Sequence, residues 1–254
     1  MLFYKDKGKG KSIVLLHGFL ENLKMWEHFQ EKLSKNYRVI TIDLPGHGKS
    51  SDLSEEIYTM EYMAEKVNEV LEFLKIDNFT IIGHSMGGYV ALALVDLYKS
   101  KIDGLGLFYS TTLPDDEEKK EQRLRAAELA IKNPKDFFSL AIPNLFADSN
   151  SIKSKIYIEI ATSWANETTL KGISASLKGM RLRENRTNII KEFHKPVFIL
   201  LGTYDKAIIN IDLKNNLEGL DHISFYELPT GHMGSLEAPN ESLEIIETWL
   251  KTKF

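Results

Sequence analysis

The sequence GHSMGG, residues 83–88, decides the fold. It follows residues 79–82, a short apolar run rich in β-branched side chains, which favours a buried strand. It precedes residues 89–95, which are small and apolar and favour a helix. A serine with glycines two positions before and after it is typical of a sharp strand-to-helix turn, where the two backbones converge and the hydroxyl stands clear of the sheet. Ser85 is therefore the candidate nucleophile.

The composition excludes several classes of protein. Of 254 residues, 43% are hydrophobic and 27% charged, as in a soluble globular protein of one large α/β domain or two small ones. A net charge of −4 gives no reason to expect nucleic acid or an anionic membrane as a partner. Without cysteine there is no disulfide, thiolate metal site or cysteine nucleophile. The first residues lack the apolar segment of a signal peptide, and no apolar run reaches the roughly 18 residues of a membrane span. We therefore expect a cytoplasmic protein.

Apolar runs and amphipathic stretches alternate along the first half of the chain. A short edge strand is predicted at residues 2–4, and buried strands at 13–16, 39–42, 79–82, 105–109, 197–201 and 223–228. Helices are predicted at 21–34, 58–74, after Ser85 and from 239 onward. Such alternation predicts an α/β fold with a mostly parallel central sheet flanked by helices on both faces. Ligands bind such sheets at the carboxyl ends of their strands.

Residues 113–186 interrupt this alternation. They hold no strand-like run but four helical patterns, at 116–132, 134–146, 151–165 and 168–180. The pattern indicates an all-helical cap (lid) inserted into a core made of residues 1–112 and 187–254. We expect the cap to cover the carboxyl edge of the sheet, because a closed apolar pocket excludes water from the reaction.

A serine nucleophile needs an imidazole to take its proton and a carboxylate to orient that imidazole. Of the seven histidines, only His232 follows a predicted strand at the carboxyl edge and lies after the inserted helices. Asp205 follows the strand at 197–201, and Asp212, its nearest rival, lies further into the connection. Alternatively, His232 and Asp205 could have only the structural role of stabilising turns. The order Ser85, Asp205, His232 nevertheless favours a catalytic triad.

The oxyanion of a tetrahedral intermediate needs fixed N–H donors. The backbone N–H of Met86 directly follows the nucleophile at a helix N-terminus, where the helix dipole also helps. The second donor is predicted in the loop after the strand at 13–16, with Phe19 as the best candidate. Gly18 would let this loop approach closely.

The remaining site predictions concern the pocket and cofactors. Leu20, Trp164 and Met233 are predicted to line the pocket, although Trp164 is equally suited to the interior of the cap. No metal or organic cofactor is expected, because there is no cysteine and no pair of histidines at ligand spacing.

Taken together, these motifs resemble those of the α/β-hydrolases that carry a helical cap. The motifs are HGF at 17–19, DLPGHGKS at 43–50, GHSMGG at 83–88, GTYD at 202–205 and GH at 231–232. The resemblance implies Ser85, Asp205 and His232 as the triad, with Phe19 and Met86 as the oxyanion donors. In residues 175–186 the chain is similar to the cap exit of the carboxylesterase and 3-oxoadipate enol-lactonase branch. The serine disfavours epoxide hydrolases and haloalkane dehalogenases, and residues 205–209 lack the proline common after the family's acid.

The resemblance leaves three functions open. The first is a hydrolase of a small carboxylic ester or lactone. The second is a carbon–carbon bond hydrolase or a menaquinone-pathway synthase-like enzyme, for which Arg181, Arg183 and Arg186 could hold a substrate carboxylate or simply make surface or cap-to-core ion pairs. The third is a non-catalytic ligand sensor, which the intact triad disfavours. A small-molecule ester or lactone is the expected partner, and a homodimer is one of the oligomeric states open to the chain.

Overall fold

The computed structural model describes residues 1–50, 54–208 and 210–253. Within these ranges the strands are β1 (Tyr4–Lys7), β2 (Ser12–Leu16), β3 (Arg38–Ile42), β4 (Phe79–His84), β5 (Ile102–Phe108), β6 (Val197–Gly202) and β7 (Ile223–Leu228). They form one sheet in the order β1-β3-β2-β4-β5-β6-β7. Strand β1 runs antiparallel to β3, and the other pairings among these strands are parallel.

The helices of the same ranges are α1 (Glu27–Leu33), α2 (Met60–Phe73), α3 (Met86–Tyr98), α4 (Glu117–Lys132), α5 (Pro134–Ala141), α6 (Ile152–Ala165), α7 (Leu170–Arg181), α8 (Thr187–Lys191), α9 (Asn210–Leu217), α10 (Gly234–Glu237) and α11 (Pro239–Lys253). Helices α2 and α8 pack against α3, whereas α1 packs against α11. The predicted fold class, a mostly parallel sheet flanked by helices, is confirmed. No helix in the described ranges is long and apolar enough to cross a membrane.

The sheet brings the ends of its central strands to one edge. Every residue of β4 and of β6 is buried, as expected for strands covered on both faces. The register pairs Leu16 with Gly83 and His84 with Phe108, so β2, β4 and β5 end side by side. The loops that follow these strands therefore meet at this edge.

Helices α4 to α7 occupy the chain between β5 and β6, where the helical insertion is predicted. The predicted helix at 134–146 is two elements, because α5 ends at Ala141 and a 3-10 turn follows at Pro143–Leu145. Proline lacks an N–H donor and its ring crowds the preceding turn, so it interrupts a helix. The break places residues 143–147 as a loop that reaches back toward the core.

Four other elements differ from the sequence predictions. The edge strand is Tyr4–Lys7 rather than residues 2–4, with Leu2 buried in the core instead of paired. The first predicted helix begins with a separate 3-10 turn at Leu23–Trp26, because the Asn22 side chain caps it. Helices α8 and α9 have patterns too short to be recognised. In the loop at 205–209, the position of Ile209 lies outside the described residues.

Candidate functional site

Ser85 occupies a strained turn between β4 and α3. Its backbone angles are φ 50° and ψ −115°, a conformation that L-residues rarely adopt. A Cβ at Gly87 would lie 2.5 Å from the carbonyl oxygens of both Leu16 and His17, so only glycine fits there. The turn therefore needs its glycines for close approach, and it presents the Ser85 side chain at the edge where the strands end.

A chain of two hydrogen bonds joins the three residues predicted as a triad. The Ser85 Oγ lies 2.8 Å from Nε2 of His232. On the other side of the ring, Nδ1 of His232 donates to Oδ2 of Asp205 at 2.7 Å. The backbone N–H groups of Ala207 and Ile208 donate to the remaining carboxylate oxygen at 2.7 and 3.2 Å. This arrangement leaves Nε2 of His232 free to accept the serine proton.

The surroundings of Asp205 favour its ionised form. Burial alone would raise the pKa of this carboxyl group, but His232 and the two backbone donors lower the pKa below its usual value. The Asp205 side chain is 1% exposed, so these contacts are shielded from water. An ionised Asp205 holds the proton of His232 on Nδ1, which is the tautomer that a general base for Ser85 needs.

Two backbone segments lie close to Ser85. Met86 is the first residue of α3, so its N–H has no acceptor within the helix. From the other side, a Cβ at Gly18 would come within 3.2 Å of the Ser85 Cβ, which shows how closely this loop approaches. Phe19 and Ser85 line the same cavity. Both predicted oxyanion donors are therefore on segments that flank the serine.

A buried pair that sequence analysis did not identify ties these segments together. Glu21 Oε2 accepts hydrogen bonds from the N–H of Gly18 at 2.6 Å and from Nδ1 of His84 at 2.8 Å. The other ring nitrogen of His84, Nε2, donates to the backbone carbonyl of His232 at 3.0 Å. Glu21 is 3% exposed and His84 1% exposed. One carboxylate–imidazole pair thus connects the loop before Phe19, the serine turn and the histidine loop.

The charges of this pair support each other. Burial alone would raise the pKa of Glu21, but His84 and the Gly18 N–H lower it overall. For His84, burial opposes the charged form, yet Glu21 and the His232 carbonyl raise the pKa. Both directions favour a buried carboxylate paired with an imidazolium. No sequence signal marks it, because Glu21 and His84 are 63 positions apart.

The histidine loop is also held by the helical insertion. The N–H of His232 donates to the carbonyl of Leu145 at 2.7 Å. Glu237 bridges the same two segments, because its carboxylate accepts from Ala147 N at 2.9 Å and from Gly231 N at 2.8 Å. Sequence analysis missed Glu237, which lies in the short helix α10 without a motif of its own. The backbone that carries His232 is thus fixed by contacts from both sides.

Above Ser85 and His232 lies a cavity of about 530 Å³. This volume suits a small organic ligand. Its walls come from the core loops and from α4, α5 and α7. Most of the lining is apolar, with side chains that include Phe19, Leu20, Ala126, Phe137, Ala141, Leu145, Leu177, Met180, Ile208 and Met233.

Two of the three residues predicted to line the pocket do so, and the third does not. Leu20 and Met233 line the cavity. Trp164 does not, which corrects that prediction. It is 8% exposed and packs near the end of α6 in the hydrophobic core, because this helix lies away from the cavity wall formed by α4, α5 and α7.

The three arginines at the end of α7 make ion pairs and do not line the cavity. Arg183 pairs with Asp115 at 2.8 Å and stacks over the Tyr89 ring, and Arg181 lies 3.9 Å from Glu121. Arg186 contacts Glu61 and lies 3.6 Å from Asp96. These pairs fasten the exit of the insertion to α2, α3 and α4.

Other polar groups near the site have local roles. His17 Nε2 accepts from the N–H of Leu44 at 2.8 Å, and His47 Nδ1 donates to the Pro45 carbonyl at 2.9 Å. Burial lowers the pKa of His17 to about 4 and that of His47 to about 3, so both are neutral. Residues 1–50, 54–208 and 210–253 contain no group of three or more His, Cys, Asp or Glu side chains that could hold a metal ion.

Comparisons with known proteins agree with this fold. The family model described as alpha/beta hydrolase fold matches residues 11–121. A thermophilic esterase from Thermogutta terrifontis, solved with malate bound, superposes with a TM-score of 0.93 at 29% identity, over 99% of this chain and 93% of that one. The enol-lactonase from Burkholderia xenovorans LB400 superposes with a TM-score of 0.90 at 21% identity, over 98% of this chain and 96% of its own.

Curated relatives match over different lengths. The (E)-2-((N-methylformamido)methylene)succinate hydrolase of Acinetobacter baylyi is 24% identical over 258 residues, which cover 98% of this chain and 94% of that protein. Mycobacterial relatives are 34% identical over 102 residues, so the match spans only 30% of their length. The structural likeness therefore extends over almost the whole chain, whereas the match of higher identity covers 40% of it.

Proposed function

Because this chain has the α/β-hydrolase fold, we propose that it is a serine hydrolase that cleaves a small carboxylic ester or lactone through an acyl-enzyme. The observation that carries the proposal is the hydrogen-bonded chain from Ser85 through His232 to Asp205. The cavity above Ser85 supports it, because its size and apolar lining suit a small acyl group. The likeness to an esterase at 29% identity supports the same class of reaction.

Acylation begins when Ser85 Oγ attacks the carbonyl carbon of the substrate. His232 takes the serine proton on Nε2, and ionised Asp205 stabilises the imidazolium that forms. The carbonyl oxygen becomes an oxyanion, which accepts hydrogen bonds from the backbone N–H groups of Phe19 and Met86. The tetrahedral intermediate then collapses, and the carbon–oxygen bond to the leaving alcohol breaks.

His232 next acts as an acid and gives its proton to the leaving oxygen. With an ester the alcohol departs, and with a lactone it stays attached to the acyl chain. Deacylation repeats the sequence with water as the nucleophile. His232 takes a proton from water, the hydroxide attacks the acyl carbon, and the proton returns to Ser85 Oγ as the acid leaves.

We propose that residues 113–186 act as the cap of this enzyme, inserted into a core of residues 1–112 and 187–254. Side chains of α4, α5 and α7 line the same cavity as Ser85 and His232, which supports this role. Such a cap would exclude water and strengthen the hydrogen bonds to the oxyanion.

The arginines that motivated a carbon–carbon bond hydrolase or a synthase-like enzyme are engaged elsewhere. Arg181, Arg183 and Arg186 make ion pairs and do not line the cavity, so they are not free to hold a substrate carboxylate there. The hydrogen-bonded triad also disfavours a sensor without catalysis, which would not need it.

A covalent probe tests the proposal directly. A fluorophosphonate should label the protein once, and peptide mass mapping should find the label on Ser85. p-Nitrophenyl esters of increasing acyl length, with lactones alongside, should then define the preferred substrate. Labelling at another residue, or full ester hydrolysis by Ser85→Ala, would overturn the mechanism.

A further inference from the structure

Resting on the ester or lactone hydrolase activity proposed above, we propose that Lys119 forms an anion-binding subsite in the cavity and that the substrate carries a carboxylate. Nothing in the triad requires this residue. The inference comes from the charges that line the wall formed by α4.

Lys119 lies in the first turn of α4 and is half-buried against the cavity. Its Nζ donates one hydrogen bond, at 2.8 Å, to the backbone carbonyl of Ala207. Within the described part of the chain, no carboxylate lies within ion-pair distance of this Nζ. An ammonium has three donors, so two hydrogen-bond donors of Lys119 remain for another partner.

The neighbouring charges leave this wall with more buried cations than anions. Arg123 also lines the cavity, but it shares the buried carboxylate of Asp115 with Arg183. Asp116 and Glu118 are exposed at the rim. Asp116 caps α4 through the N–H of Lys119, and Glu118 accepts from Gln122.

The acids nearest to this wall are held by other partners. Glu21 is paired with His84, and Asp205 is hydrogen-bonded to His232. Asp205 keeps its negative charge beside the neutral ring of His232, but neither Glu21 nor Asp205 forms an ion pair with Lys119. Burial, and then the nearby Arg123, lower the pKa of Lys119 below its usual value although Asp115 and Asp205 raise it, so the charged ammonium is less favourable here than in water. A bound carboxylate would offset that cost, whereas a neutral acyl chain would not.

A second role for Lys119 must be separated from substrate binding. Ala207, its hydrogen-bond partner, also donates its N–H to Asp205. Loss of Lys119 could therefore move the loop that carries the triad acid and slow hydrolysis of every substrate. The ratio of activities on anionic and neutral substrates removes this general effect.

Matched esters supply that ratio. Monomethyl succinate, glutarate and adipate differ from methyl butyrate, pentanoate and hexanoate by a carboxylate in place of the terminal methyl group. Hydrolysis of each is followed by titration of the released acid at constant pH. We expect the wild-type protein to have a higher kcat/KM for one or more anionic esters than for the neutral partner, and the chain length that gives the largest ratio reports the reach from Ser85 to Lys119.

Variants at position 119 then test the residue. Lys119→Met should lower the ratio by about ten- to a hundredfold, the effect of losing a charge-assisted hydrogen bond, and Lys119→Arg should restore most of it. Lys120→Met is the matched control, because Lys120 pairs with Glu117 and does not line the cavity. It should leave the ratio unchanged. Glutarate should also slow fluorophosphonate labelling of the wild-type protein more than that of Lys119→Met.

The outcomes distinguish the two proposals. If Ser85 is needed to cleave neutral esters, but the ratio of kcat/KM for anionic and neutral esters stays near one and is unchanged in Lys119→Met, the proposal of an anion subsite is wrong. The hydrolase proposal stands in that case. If neither series is cleaved and no probe labels Ser85, the hydrolase proposal fails and the subsite fails with it.

Discussion

At the scale of single residues, the site depends on Ser85, whose backbone is held in a conformation that is unfavourable for an L-residue. The φ of 50° is sustained because β4 enters and α3 leaves the turn at fixed positions in a buried sheet. Sequence analysis could identify this serine, because the glycines that permit the turn are its neighbours in the chain. It could identify His232 and Asp205 only through their places after strands, since neither has a distinctive neighbourhood.

The triad should behave as one unit. Ser85→Ala or His232→Ala should lower kcat by roughly five to six orders of magnitude, and the double variant should lose little more than either alone. Asp205→Asn should cost roughly four orders, because the ring is then held in the wrong tautomer. Steady-state kinetics on the best ester measures all four variants. Additive losses in the double variant would show that Ser85 and His232 do not act in the same step.

The buried Glu21–His84 pair should matter for kcat more than for KM. Glu21→Gln keeps one acceptor for the Gly18 N–H but removes the charge that holds His84 as an imidazolium. We expect kcat to fall by about ten- to a hundredfold, as for loss of a buried charge-assisted hydrogen bond. Glu27→Gln, at an exposed ion pair with Lys5, is the control and should change kcat by less than about twofold. Equal kcat values for the two variants would mean that the pair does not position the loop of Phe19.

At the scale of elements, the insertion shows what a pattern of apolar residues can predict and what it cannot. The four helices were predictable because each has its own cap and apolar face, such as the Ser151 side chain before α6 and Thr169 before α7. The contacts of these helices could not be predicted, because they depend on which face of each helix packs against the core. Trp164 and Lys119 illustrate this: an aromatic residue expected in the pocket is buried elsewhere, while a lysine in a charged stretch lines the pocket.

Glu237 gives a prediction at this scale, since it joins the insertion to the histidine loop. Its carboxylate accepts from two backbone N–H groups, whereas an amide offers one oxygen and places donors against the second N–H. Glu237→Gln should therefore lower the free energy of unfolding by about 1–3 kcal/mol and reduce kcat as well. Urea unfolding and ester kinetics measure the two effects. Exposed Glu241→Gln is the control, and equal stability of both variants would contradict the bridging role.

At the scale of the whole molecule, the architecture could be predicted because it follows from local sequence patterns. Strand, turn and helix patterns repeat along the chain, and the site residues come at the ends of strands. What it could not supply are contacts between distant positions. Glu21 meets His84 and Glu237 meets Ala147 only after the sheet and the insertion have formed. Such contacts involve ordinary charged residues, whose roles depend on the partners that folding brings to them.

Acid should destabilise the whole fold before most carboxylates titrate. Burial lowers the pKa of His17 from an ordinary 6.5 to about 4, and that of His47 to about 3. Below about pH 6.5 the unfolded chain therefore binds protons that the folded chain does not, and stability decreases as pH falls. Each histidine contributes a slope of up to about 1.4 kcal/mol per pH unit between pH 6.5 and 4.

Urea unfolding at pH 7, 6, 5 and 4.5 measures this slope. His47→Gln should make it shallower, because one of the two buried groups no longer titrates. A free energy of unfolding that stays constant over this range would contradict the neutral burial of both histidines.

The hydrogen bond from the N–H of His232 to the carbonyl of Leu145 has a consequence for recombination between relatives. Exchanging residues 113–186, the proposed cap, between related enzymes is an obvious way to transfer the substrate pocket of one enzyme to another. Residues 145–147, however, hold the backbone of His232, the proposed general base, so they should be kept from the recipient enzyme. A chimera that keeps Leu145, Phe146 and Ala147 from the host, and takes α4, α5 and α7 from the donor, should inherit the donor's substrate range without losing the host's turnover.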